Sequence, residues 1–403
     1  MTTPTTTHWT TKLIHSDASV PEGFRSLVTP VFRGSTTVFP RAADVSEDWR
    51  QEAGYTYGLY GTPTTRELGA RIAELEGGER TFITPGGQAA IALIALAFTS
   101  SGDHLLITDS AYGPTRQLAD KLLRRFGVEV EYYPPLEGAA VAARMRPTTR
   151  LVWCESPGSV TMEVQDVPAI VDAAHRADVL VALDNTYSAG VYFDAFAHGV
   201  DVTMQALTKY VGGHSDLLLG SVTVRAAEAY ERLGTAHDLL GMGVSPDDCY
   251  LALRGMQTLG VRLAAQERNA LHVARWLAAQ QPAVATVLHP ALPSCPGHDT
   301  WRRDFTGSTS VFSIVFVEGT TREQILAFAD ALALFEIGFS WGGVTSLVIP
   351  WFDVARTYGT PYGHRLVRLN VGLEDPEDLV ADLAQALDRA GLAAPAHTGS
   401  AAR

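Results

Sequence analysis

Residues 179–190 read VLVALDNTYSAG. From Val179 to Leu183 the run is apolar without interruption, and the next residue is a carboxylate, Asp184. A strand with one wet face alternates apolar and polar side chains, whereas an unbroken apolar run bounded by turn residues fits a strand covered on both faces, the habit of parallel sheets. A carboxylate closing such a strand is costly unless paired or hydrogen-bonded, so Asp184 is expected to face a cation or a protonated ring nitrogen. A loop or helix-capping aspartate is the competing reading.

Working outward, β-rich runs recur at TFIT (81–84), HLLIT (104–108), VEVEYY (128–133), RLVWC (150–154), VTMQA (202–206) and LLLGSVTV (217–224). Helix-length segments such as GQAAIALIALAF (87–98) and the stretch from Pro114 to Phe126 separate most of them. This alternation predicts an α/β fold with a mainly parallel sheet and crossover helices on its faces. A first helix is expected after Pro63, capped by Thr64 or Thr65 and ended by Gly77-Gly78. Beyond Gly255 the rhythm loosens into a long helix (Val261 to Gln280), a strand at 310–317, a helix from Thr321, strands SLVIP and RLVRLNV, and an amphipathic helix from Pro376 with Leu379, Leu383 and Leu387 on one stripe. That pattern predicts a smaller α+β domain. From Leu13 to Gly61, broken by Pro21, Pro30 and Pro40, the apolar residues show no period and read as an irregular arm. The first eleven residues and the last dozen, LAAPAHTGSAAR, read as frayed tails. The expected division is an arm over 1–63, a large domain over 64–255 and a small domain over 256–403.

The chain of 403 residues is 46% hydrophobic, enough for a sizeable core. With 44 acidic against 31 basic residues and no basic cluster, its net charge of -13 argues against nucleic acid as a partner. Cys154, Cys249 and Cys295 stand far apart and form no CxxC, which predicts reduced thiols and a cytoplasmic protein. There is no HExxH or cysteine cluster, so no metal is expected. The opening MTTPTTTHWTTK lacks the apolar stretch of a leader, and the longest apolar run, AAIALIALAF (89–98), is too short to span a bilayer. No membrane association is expected.

In parallel sheets ligands sit beyond the carboxyl ends of the strands, so polar residues there are the ones to collect. TPGGQAA (84–90) turns a strand into a helix through Gly86 and Gly87, and free N–H groups at such a start can hold a phosphate. A tight turn explains the glycines equally well. A dinucleotide site competes, with Asp109 placed as a ribose-binding acid, although the spacing is not GxGxxG. LITDSAYGPT (106–115) puts Tyr112 in the loop after a strand, where it can pack or stack on a planar cofactor. ALTKYVGGHSD (206–216) holds Lys209 among small and aromatic residues, seven or more positions from Asp201 and Asp216. A phosphate cradle, an aromatic platform, an acid for a pyridinium nitrogen and an isolated lysine for a Schiff base together describe a site for pyridoxal 5′-phosphate (PLP). A nicotinamide dehydrogenase, the reading from another class, has no use for Lys209. His214 reads as a structural hydrogen-bonder.

The runs DNTYSAG and ALTKYVGGHSD resemble the fold type I PLP enzymes of cysteine and methionine metabolism, from about Thr11 to Ala390, and within them ESPGSVTMEV (155–164) and FSWGGVTSLVIP (339–350) are most similar to cystathionine β-lyases. The resemblance implies the aspartate-aminotransferase-like fold with a seven-stranded sheet, a homo-oligomer built as a tetramer from two dimers, and a small amino acid as substrate. It implies that Lys209 holds PLP, Asp184 pairs with the ring nitrogen and Tyr112 stacks on the ring. Thr208 and the backbone of Gly87 and Gln88 would bind phosphate. Tyr57 would serve the neighbouring subunit's site, Arg368 would fork onto the substrate α-carboxylate, and Ser340 and Trp341 would line the same pocket.

Three positions depart from the pattern. Leu59 stands where the family commonly has a phosphate-binding arginine, Ala206 where it has a serine, and Thr345 where a glutamate supports the loop at Ser340. Gln88 or Tyr60 is the candidate to replace a missing donor. The expected reaction is β-cleavage of L-cystathionine, or of a related S-substituted cysteine, to a thiol, pyruvate and ammonia. A γ-lyase or γ-synthase is the alternative within the same chemistry.

Overall fold

The structure is a computed structural model that describes residues 8–14, 23, 26–359 and 361–392. Seven strands form the larger sheet: β1 (Arg80–Thr84), β2 (His104–Thr108), β3 (Glu129–Tyr133), β4 (Thr149–Glu155), β5 (Leu180–Asp184), β6 (Val202–Gln205) and β7 (Gly220–Val224), in the order β1-β7-β6-β5-β4-β2-β3. The pairs β2/β3, β2/β4, β4/β5 and β5/β6 are parallel. β7 runs antiparallel to β6 and to β1, because no helix crosses over between Gln205 and Gly220; the chain turns back through the loop that carries Lys209.

Helices α1 (Trp9–Ile14), α2 (Pro63–Glu76), α3 (Gly87–Phe98), α4 (Gly113–Leu118), α5 (Val167–His175), α6 (Ala227–Leu239) and α7 (Pro246–Gln280) accompany this sheet. One apolar layer joins α3 and α6 to one face, through Leu93, Ile94, Phe98, Trp153, Val222 and Leu233; another joins α5 to the other, through Val152, Val167, Ile170, Val181 and Leu183. Burial on both faces is what the apolar run at 179–183 required. α2 is capped by Thr62, not by Thr64 or Thr65: the Thr62 hydroxyl accepts from the Thr65 N–H and the Thr65 hydroxyl answers the Thr62 N–H. Gly77, at φ 73°, ends it as expected.

The reading of a frayed amino-terminal tail is corrected in part. Residues 9–14 form a helix whose Leu13 is buried, and Arg71 holds the carbonyls of Lys12 and Leu13 at 2.9 and 2.5 Å. Residues 1–7 and 393–403 of the expected tails lie outside the described residues. The long helix also begins earlier than the sequence suggested: Ser245 caps it, Pro246 opens it, and Asp247 and Asp248 occupy its positive first turn.

α7 then runs for 35 residues from one sheet to the other. Its first half, through Cys249, Leu253, Met256 and Leu263, packs against Leu207, Tyr210 and Val211 beside Lys209. Its second half, through Ala270, Val273 and Leu277, packs on the second sheet. That sheet has strands β8 (Val284–Leu288), β9 (Val311–Phe316), β10 (Glu336–Ile337), β11 (Leu347–Trp351) and β12 (Leu366–Asn370) in the order β10-β11-β12-β9-β8, all antiparallel except β10/β11. α8 (His298–Asp304), α9 (Arg322–Ala331) and α10 (Pro376–Arg389) complete the small domain, with Leu379, Leu383 and Leu387 buried as the stripe predicts.

Candidate active site

The carboxyl ends of β2, β4, β5 and β6 converge where the small domain meets the large one. Asp184 is the last residue of β5 and stands in register with Glu155, the last of β4. Both carboxylates are buried. Burial raises the pKa of Asp184, opposed by the Thr186 side chain, by the N–H of Thr186 at 3.0 Å, and by the charge of Lys209. Glu155 is driven well above its ordinary value by burial and by the negative charge of Asp184, which favours its neutral form. It accepts the N–H of Tyr112 at 2.7 Å and so fixes the residue that starts α4. Tyr112 is 39% exposed, so a planar group can reach it.

Lys209 emerges from the turn after β6. Thr208 closes that turn, its hydroxyl exchanging hydrogen bonds with the carbonyl and N–H of Leu219, both at 3.2 Å. The buried Arg262 guanidinium clamps the other side by donating to the carbonyls of Tyr210 and Gly255 at 2.7 and 2.8 Å. The Lys209 ammonium donates to the Ser340 hydroxyl at 2.6 Å and lies 5.4 Å from the centre of the Trp341 ring. Burial, then the charge of Arg368, brings its pKa down to about 8, against the pull of Asp184.

The small domain supplies the opposite wall. Ser340 sits at φ 81°, and Gly342, at φ 83°, passes so close that a Cβ would lie 3.1 Å from the Lys209 carbonyl carbon. Only glycine suits both demands there. Asn370 accepts the Gly342 N–H at 2.9 Å and donates to the Thr345 carbonyl at 3.0 Å, so the loop at Ser340 is tied down without the family's glutamate. Arg368, on β12, is 5% exposed; it donates to the Ser340 carbonyl at 3.3 Å and lies 5.5 Å from the Trp351 ring. Among the described residues no carboxylate pairs with it, and burial brings its pKa down to about 10. A buried guanidinium without a counter-ion can accept an incoming carboxylate as its partner.

The glycine turn has the form of an anion cradle. α3 starts at Gly87 with no side-chain cap, and Gly86 takes φ 156°. A Cβ on Gly87 would stand 2.8 Å from the Ala206 Cβ, so the helix start and the Lys209 loop meet here. The suggested substitute donors point elsewhere: the Gln88 amide donates to the Pro114 carbonyl at 3.2 Å, and the Tyr60 hydroxyl lies near the Asp238 carboxylate, its pKa raised by burial and by that carboxylate. Leu59 packs against Gly243. Tyr57 lies 49% exposed on the arm, bridged to Thr36 and 6.0 Å from the Tyr60 ring; among the described residues it touches neither Lys209 nor Arg368. His214 bonds its own turn, at the Gly212 carbonyl. Asp109 is no ribose acid: two arginines and two N–H groups occupy its buried carboxylate. The sequence reading missed Glu155, Asn370 and Trp351, all of which directly follow or end strands already recognised.

The pattern of the Cys/Met metabolism PLP-dependent enzymes matches residues 10–388. The chain belongs to that family. Its relatives include the cystathionine β-lyase of Escherichia coli K12, 40% identical over 93% of this chain and 96% of that protein. The cystathionine γ-lyase of Bacillus subtilis 168 is more distant, at 32% over 94% and 98%. Among solved structures, the cystathionine γ-lyase of Lactobacillus plantarum complexed with L-serine superposes with a TM-score of 0.87 at 27% identity, covering 96% of this chain and all of that one. The protein is thus a PLP-dependent carbon–sulfur lyase of fold type I, and its own residues fit the cofactor: an uncapped helix start for phosphate, a buried acid for the ring nitrogen and a lysine of lowered pKa. No helix among the described residues is long and apolar enough to cross a membrane.

Proposed function

We propose that the substrate is L-cystathionine and that the bond broken is Cβ–S, giving homocysteine, pyruvate and ammonia after uptake of water. The observation that carries this reading is Lys209: a desolvated amine with pKa about 8, held between an acid, Asp184, and an unpaired buried cation, Arg368. The higher identity to β-lyases than to the γ-lyase supports the choice of bond.

PLP, when bound, supplies an electron sink for the negative charge left on Cα. Arg368 forks onto the substrate α-carboxylate and fixes which Cα bond faces Lys209. The Lys209 amine takes the Cα proton, and the Ser340 hydroxyl, already 2.6 Å from Nζ, holds that amine on station. Asp184 stabilises a proton on the ring nitrogen, and Glu155 orients Tyr112 through its N–H. Gly87 and Gln88 offer N–H groups to the phosphate, with Thr208 shaping the adjoining turn. Trp341 keeps water from the amine.

We further infer a homotetramer in which Tyr57 of the arm serves a neighbouring copy's site, since within one chain it is exposed and its contacts among the described residues are with Thr36 and Tyr60, not Lys209. The arm over 1–63, the large domain over 64–255 and the small domain over 256–403 are the corresponding units. Three buried free thiols accord with the reducing cytoplasm. The test is to incubate PLP-loaded protein with L-cystathionine and identify the keto acid by mass. Pyruvate with homocysteine is expected; 2-oxobutanoate with cysteine would replace this reading by γ-cleavage.

A further inference from the structure

Asp109 follows β2, and its side chain is fully buried. Four donors meet it: Arg116 Nη1 at 2.7 Å, Arg356 Nε at 2.9 Å, and the N–H groups of Thr357 and Tyr358, each at 2.8 Å. Burial opposes its ionisation, but those two N–H groups and Arg116 prevail and hold its pKa below the ordinary value. The donors come from both domains. Arg116 lies on α4, the helix that Tyr112 opens. Arg356 belongs to the loop that leaves β11 of the small domain, five residues after Trp351.

Arg356 enters the large domain as a plug. Its side chain is 9% exposed; besides Asp109 it reaches the Thr161 hydroxyl at 2.7 Å and pairs with Glu163 at 2.8 Å. Thr161 and Glu163 lie in the loop after β4, where Val160 and Met162 both take positive φ, at 67° and 60°. That same loop touches the small domain elsewhere too, through Ser313 on the Val160 carbonyl, Cys295 on the Met162 carbonyl and the Val164 N–H on the Pro296 carbonyl. Two carboxylates and two guanidiniums thus form a buried, neutral cluster across the domain boundary.

The cluster ties together the two halves of the active site. On one side Asp109 is three residues from Tyr112 and holds α4. On the other, the Arg356 loop continues β11, which pairs with β12 so that Ile349 stands opposite Arg368, and Trp351 lies over the Arg368 guanidinium. We propose that the Asp109–Arg356 pair is an interdomain latch that sets the distance between the cofactor-facing wall at Tyr112 and the carboxylate-binding wall at Arg368. Neither residue touches the reacting atoms; both are positioning residues, and their effect falls on substrate capture. This inference rests on the assignment of Arg368 to the substrate carboxylate.

The test compares the PLP-loaded parent with Arg356→Gln, Asp109→Asn, the double variant and Arg368→Lys, using L-cystathionine. KM is the discriminating quantity, because it does not depend on what fraction of a preparation is folded. Arg356→Gln should raise KM about tenfold, as a displacement well under 1 Å at a positioning group can. Its kcat per bound PLP should fall less than its KM rises, and its cofactor absorbance should be unchanged. The double variant should have the KM of the worse single variant, since both break one latch. Arg356→Lys, which keeps the charge but not the fork, should fall between. An unchanged KM in Arg356→Gln and Asp109→Asn alongside a raised KM in Arg368→Lys would overturn the latch while leaving the site intact. So would additive effects in the double variant. An unchanged KM in Arg368→Lys would instead remove the site assignment and the latch with it.

Discussion

Replacing Arg368 by methionine should stabilise the cofactor-free protein while disabling it. The guanidinium is 5% exposed and has no carboxylate partner among the described residues, and burial takes its pKa well below its ordinary value, to about 10. That displacement corresponds to about 3 kcal/mol of unfavourable free energy for keeping the group charged near neutral pH. The Ser340 carbonyl and the Trp351 face each return about 1 kcal/mol, which leaves about 1 kcal/mol to gain from a neutral side chain of similar length. For a unit the size of the small domain this is a rise in Tm of about 2–4 °C. Activity should move the other way: kcat/KM should fall about a hundredfold or more, as when one partner of a desolvated charge pair is deleted. Thermal or urea unfolding of the cofactor-free forms and steady-state kinetics of the loaded forms supply the two numbers. A variant that loses both stability and activity would refute the argument, because it would mean that the guanidinium is held by favourable contacts and is not an unpaired charge waiting for a carboxylate.

Lys209→Ala should abolish both turnover and the yellow colour of the loaded protein; retained activity in a dialysed preparation would exclude Lys209 as the base. The rate at which cofactor-free protein takes up PLP should rise with pH around about 8, because only the neutral amine adds to the aldehyde and the folded pKa lies below the ordinary 10.5. Stopped-flow absorbance between pH 6 and 10 checks this, and a midpoint near 10.5 would contradict the burial argument. By the same shift, protonation of Lys209 opposes folding: the unfolded chain binds the extra proton between pH 8 and 10.5, so this group's contribution to stability improves as pH rises through that window. Ala206→Ser should restore a phosphate donor beside Gly87 and tighten PLP binding by about tenfold, measured by equilibrium dialysis. No change would show that the cradle is complete without it.

The sequence by itself determined most of the large domain and the cofactor side of the site. The apolar run at 179–183 can be stable only as a strand covered on both faces, and Asp184 beyond it can be tolerated only with a partner; both are local consequences of burial. Lys209 and the glycine turn at 86–87 were legible for the same reason, since an isolated lysine and paired glycines are conspicuous in their immediate neighbourhoods. Where capping was a matter of which threonine faces the first turn, the sequence picked the wrong neighbours, and Thr62 won because Pro63 occupies the first helical position. The reversed direction of β7 could not be read from composition, which is the same for a strand run either way.

What only the tertiary structure decided lies across the domain boundary. Asp109 was open to a competing reading as a ribose ligand, against the glycine spacing, and what fills its carboxylate is instead Arg116 and Arg356, 7 and 247 residues away. Asn370 supports the Ser340 loop from 25 and 28 residues away, in place of a residue that the sequence lacks. These partners are chosen by the packing of α7 and the two sheets, and pairing over such separations leaves no period or spacing in the chain. Burial is written locally in a sequence; the identity of the group that satisfies a buried charge is not.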